Sequence, residues 1–94
     1  MQIVKTSRYL DELEVVLDFI AKDSLIRALE FSDRLNEKIF DLDNMPYRNR
    51  KSVKSDDSNV RDLIFHGYVV PYRINIDKGR IEIVGIYGAN EWGL

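Results

Sequence analysis

The chain has 94 residues, a formal net charge of −2 and no cysteine. That length holds one modest core without a separate substrate domain, and the lack of cysteine excludes disulfides, thiolate metal sites and cysteine nucleophiles. Apolar residues make up 45% and charged residues 32% of the chain, the balance of a folded soluble domain rather than a disordered or membrane protein.

In chain order, "MQIVK" is rich enough in branched residues to form a short strand, and Thr6 or Ser7 then caps a helix. Leu10, Leu13, Leu17 and Ile20 recur at spacings of three and four and line its apolar face, with Asp11, Glu12, Glu14, Asp18 and Lys22 outward. "KDS" at Lys22 to Ser24 breaks this helix and caps a second one. Its stripe is Ala28, Phe31, Leu35, Ile39 and Leu42, so the two helices form an antiparallel hairpin with a very short connection. Pro46 ends the second helical pattern.

Residues 47–59 are polar and carry Arg48, Arg50, Lys51 and Lys54 ahead of Asp56 and Asp57. This stretch reads as a solvated loop, or as a basic lip facing a polyanion or an acidic partner segment. "VRDLIF" is a strand, His66-Gly67 a tight turn, and "YVVPYRINI" a second strand. Tyr68, Val70, Tyr72, Ile74 and Ile76 alternate onto the core face, leaving Val69, Arg73 and Asn75 on an open face. Pro71 cannot donate to a ladder, so it belongs at a bulge or an edge. After "DKG", where Gly79 can take a positive φ, "RIEIVGIY" returns as a third strand. The expected fold is a single α+β domain over residues 1–94: a two-layer sandwich of order β-α-α-β-β-β, with the hairpin covering a mainly antiparallel sheet. Leu13, Leu17, Phe31, Leu35, Tyr72, Ile74 and Ile83 are its expected core.

No stretch approaches the roughly 20 apolar residues of a membrane helix, and the opening "MQIVKTSRYLDELE" lacks an apolar signal core. The expected location is therefore cytoplasmic, with no membrane partner. His66 is the single histidine, so no metal site and no cofactor is expected. It reads as a turn residue, since a general base needs a partner that the sequence does not supply. Tyr68 and Tyr72 read as core residues with hydroxyls at the sheet rim, and Trp92 as an anchor for the tail or a partner hot spot.

The order of elements, with "LDFIAKDSLIRALEFSDRLNEKI", "VRDLIFHGYVVPYRI" and "IEIVGIYGANEW", resembles the RelE/ParE superfamily of toxins from type II toxin-antitoxin modules. "VRDL", "PYRI" and the ending of Gly88, Ala89, two polar residues and Trp92 are similar to its ParE-like branch. The resemblance implies a toxin associated with plasmid stabilisation, silenced by a cognate antitoxin and oligomeric through that complex, which arrests growth by inhibiting DNA gyrase without catalysis of its own. The alternatives are a RelE-like, metal-independent endoribonuclease acting on the ribosome, and a non-toxic remnant that only binds antitoxin. For a ribonuclease, RelE-like cationic positions fall on Val69, Ala89 and Asn90 and near Val60 and Asp62. Arg61, Arg73 and Tyr87 remain as catalytic candidates. Arg48, Arg50, Lys51, Arg73, Asn90 and Trp92 are the candidates for partner or target binding. With acids on the helices and cations in the loop, the antitoxin is expected to set acidic residues against the loop and basic ones against the helices.

Overall fold

The computed structural model describes residues 1–89. Its elements run β1 (Gln2–Lys5), α1 (Ser7–Asp23), α2 (Leu25–Asp41), β2 (Arg50–Lys51), β3 (Val60–Phe65), β4 (Tyr68–Asn75), β5 (Arg80–Ile83) and β6 (Tyr87–Gly88). Two small side chains set the helix boundaries. Thr6 Oγ1 accepts from the Tyr9 amide at 3.2 Å and donates to the Ile83 carbonyl at 2.7 Å, so the start of α1 is capped and tied to the end of β5. Ser24 adopts extended backbone between the helices. Its amide donates to Ile20 while its hydroxyl accepts from the Arg27 amide, so one residue closes α1 and opens α2.

The sheet order is β1-β5-β4-β3-β2, with β6 also paired to β4. β1 lies parallel to β5, and the other pairings are antiparallel. In register, Leu63 faces Val70, Phe65 faces Tyr68, Ile81 faces Ile74 and Ile83 faces Tyr72. These residues share the face that meets the helices, where they form one core with Tyr9, Val16, Leu35, Ile39 and Leu42. The result is an α+β fold with both helices on one sheet face.

Four details depart from the pattern read in the sequence. Leu10 is about half exposed, and the buried stripe of α1 is Tyr9 and Val16 with Leu13 and Ile20 packed beside them. Both stripes have spacings of three and four, and the phase is set by the large Tyr9 ring rather than by the leucines. The polar loop contains β2, which pairs with Asp62 and Arg61 of β3. Ile76 lies beyond β4 and is exposed. Val69, expected on an open face, is 2% exposed, because it sits in register between Ile64 and Tyr87 and the Lys54 ammonium caps the Tyr87 ring at 3.7 Å. Asp62 is buried on this same face, accepting from the Val53 amide at 3.3 Å. The loop after β2 therefore folds back over part of the second sheet face.

Pro71 lies inside a central strand, opposite Asp62. Its carbonyl accepts from the Val84 amide at 2.9 Å, so its missing amide points to the same side, where the returning chain leaves the ladder between β5 and β6. The break is held from the helix layer: Glu12 Oε1 accepts from the Ile86 amide at 3.2 Å. Gly85 permits this approach, since a Cβ there would collide with the Glu12 carboxylate.

Tyr9 is fully buried and its hydroxyl meets no hydrogen-bond partner among the described residues. Burial pushes that hydroxyl up from 10.0 to about 12. A raised folded value favours the fold below the unfolded value, so this contribution is present below about pH 10 and is lost as pH rises towards 12; it amounts to about 2 to 3 kcal/mol. Tyr9→Phe removes an orphan donor and keeps the ring, so it is expected to leave stability unchanged or raise it by about 1 kcal/mol at neutral pH. It should also flatten the alkaline loss. Denaturant titrations at neutral and alkaline pH check both, and parallel pH profiles for the two proteins would refute the assignment.

Candidate partner-binding site

The side chains singled out for chemistry do not gather at one place. Arg61 lies on the helix-side face in register with Tyr72, and its guanidinium donates to the carbonyls of Ser58, Tyr47 and Asn49 at 3.0 to 3.3 Å. It ties down the loop between α2 and β3. Tyr72 assists from beneath, donating to the Pro46 carbonyl at 2.6 Å and accepting from Asn49 Nδ2 at 3.1 Å. Arg73 is on the opposite face, exposed, with Asp57 at 4.0 Å. Tyr87 shares that face but pairs with Val69, four residues along β4 from Arg73, or about 13 Å by strand rise. An acid, a base and a phosphate clamp within reach of one scissile bond do not arise from these three.

The basic loop is also largely engaged. Arg48 pairs with Asp41 at 3.0 Å, and this hydrogen bond, aided by Asn44, holds the Asp41 carboxyl below its usual value. Arg50 reaches the buried Asp62 at 3.5 Å, and Lys54 covers Tyr87. Lys51 is exposed. Asn90 and Trp92 lie outside the described residues. Among the described residues no group of three or more metal-ligating side chains could hold an ion, and no helix is long and apolar enough to cross a membrane.

Two clefts lie along the helix layer. The larger, about 570 Å³, lies between α1 and the chain around β6, with Val15, Val16 and Phe19 on one wall and Ile86, Tyr87 and Gly88 on the other. Val15 and Phe19 are 69% and 66% exposed. They stand four residues apart on α1, so they form one apolar ridge beside the buried stripe. Glu12, at the same wall, is occupied by the Ile86 amide and by Arg8 at 3.5 Å. The second cleft, about 430 Å³, lies between α2 and the β3–β4 turn and has Tyr68 in common with the first. Sequence reading missed this surface, although α1 carries a signal for it: Val15 and Phe19 are apolar at positions that either core stripe leaves outside.

The described residues form an α+β domain with an apolar groove along its helical hairpin. Residues 3–91 match the family model described as the ParE toxin of the type II toxin-antitoxin system parDE. The chain belongs to that family. Among solved structures it is similar to the chromosomal ParDE toxin-antitoxin system from P. aeruginosa, with 19% identity, a TM-score of 0.74 and coverage of 94% of this chain and 95% of that one. At that identity the likeness speaks for the fold alone. No curated protein matches the chain.

Proposed function

We propose that this ParE-family toxin arrests growth in the cytoplasm by inhibiting DNA gyrase, and that a cognate antitoxin neutralises it by laying an apolar segment into the groove beside α1. The observation that carries the antitoxin half is the ridge of Val15 and Phe19, two large side chains left exposed on the wall of a cleft rather than scattered over the surface. Such a groove suits helix-in-groove or wrapped-segment recognition. The gyrase half rests on family membership and on the separation of Arg61, Arg73 and Tyr87, which suits a toxin acting by binding rather than by cleaving RNA. Association with the antitoxin would also set the oligomeric state of the complex.

The purified chain, mixed with gyrase and supercoiled plasmid, is expected to accumulate cleaved DNA and to suppress supercoiling. The antitoxin encoded in the neighbouring reading frame should reverse both effects. In parallel, primer extension on translated messages after induction should show no codon-positioned cuts. Reproducible ribosomal A-site cuts abolished by Arg73→Ala would replace this reading with the ribonuclease one.

A further inference from the structure

The second cleft has a chemistry of its own. Its floor is aromatic: the Phe31 ring meets Phe65 edge-on at 5.1 Å and Tyr68 at 5.5 Å, an interlocked set with little freedom to close over the space. Arg27 and Arg34 line its helix side, seven residues apart on one face of α2 and so about 10 Å apart along the axis. Among the described residues neither guanidinium has an ion-pair or hydrogen-bond partner, whereas Arg8, Arg48, Arg50, Arg61, Arg73 and Arg80 each face an acceptor. Glu30 lies between them and leaves the helix side with one net positive charge. At the mouth, His66 holds a positive φ of 47° with its ring edge-on to Phe65 at 4.4 Å.

We infer that this cleft anchors the antitoxin through a segment carrying an acidic residue next to a large apolar one. The apolar side chain rests on the Phe31–Phe65–Tyr68 floor and the carboxylate pairs with Arg27 or Arg34, which flank Glu30. The inference rests on the antitoxin reading given above and assigns the acidic half of the contact to α2. The argument is charge complementarity. Of the loop cations that the sequence offered to an acidic partner, Arg48, Arg50 and Lys54 already meet Asp41, Asp62 and the Tyr87 ring, while among the described residues the two arginines beside an open aromatic floor have no acceptor. Guanidinium groups favour bidentate carboxylate pairing, and neighbouring apolar surface lowers the local dielectric and strengthens it.

The test uses the full chain and the antitoxin of the neighbouring reading frame. Arg27→Glu with Arg34→Glu should weaken binding by about tenfold or more and remove much of its salt dependence. The variant should keep the wild-type thermal midpoint, because both side chains are exposed. Replacing one acidic residue of the antitoxin with lysine should restore affinity for the reversed toxin and for no other variant. Unchanged affinity and salt dependence in the double reversal would overturn the anchor while leaving the antitoxin reading intact. Failure of the wild-type chain to bind that antitoxin would overturn both.

Discussion

Leu35→Ala is expected to lower the unfolding free energy by about 2 to 5 kcal/mol. Leu35 is fully buried in the centre of the α2 stripe, in one cluster with Ile39, Leu42, Tyr72 and Ile74. Truncation removes three carbon atoms from a site enclosed by helix and sheet together, so the loss combines hydrophobic transfer with the cavity left behind. In a small domain this is a large share of the total stability, typically about 5 to 15 kcal/mol. Leu10→Ala is the matched control: its side chain is half exposed on α1 and its removal should fall within about 0.5 kcal/mol of wild type. Chemical denaturation followed by helical circular dichroism distinguishes the two. Equal losses at both positions would mean that α1 buries the leucine stripe and not the Tyr9–Val16 stripe.

That control bears on what the sequence discloses. Helix starts were legible because Thr6 and Ser24 act locally, a hydroxyl beside a free amide meaning the same in any fold; α2 itself ends at Asp41, ahead of Pro46. The α2 stripe was legible because Ala28, Phe31, Leu35, Ile39 and Leu42 keep spacings of three and four, although Leu25, Ile26, Leu29 and Phe40 on the same helix stay exposed. The α1 stripe was not, because the leucines offer an alternative as regular as the stripe of Tyr9, Leu13, Val16 and Ile20 that the fold buries. Pro71 signalled a ladder break, but which neighbour departed depended on the pairing of Val84 and Tyr87 across β4. Strand β2 was hidden in a polar segment, since two residues of an edge strand need no apolar alternation.

The candidate site was less legible than the fold, and for a physical reason. A cation in a sequence has no partner until the chain folds. Arg61 reads as a possible phosphate clamp until three backbone carbonyls are found at its guanidinium. Arg48 reads as a partner-facing charge until Asp41 lies 3.0 Å away. Arg27 and Arg34 attracted no notice within a helix of mixed charge, and folding is what leaves them beside an aromatic floor without acceptors among the described residues. The surface proposed for the antitoxin consists of what the fold fails to satisfy, which composition and spacing do not register.

The largest effect on binding is expected from Phe19→Asp. Phe19 and Val15 are exposed in the free toxin, so charging either should leave the thermal midpoint near wild type. In the complex, the same position becomes a carboxylate without a partner on the apolar wall of a cleft, beside Ile86 and the already occupied Glu12. Aromatic anchors at the centre of a groove commonly contribute about 2 to 4 kcal/mol, so affinity for the neighbouring antitoxin should fall by about 30- to 1000-fold. Cells expressing the variant together with that antitoxin should then stop growing, where wild-type toxin is neutralised. Ile76→Asp controls for a generic cost of adding charge: Ile76 is equally exposed but lies after β4, away from both clefts, and should remain neutralised. If Phe19→Asp binds as tightly as wild type, the antitoxin does not use the α1 ridge. If the variant loses growth arrest when expressed alone, the ridge also contacts the target, and neutralisation works by covering the surface that the toxin needs.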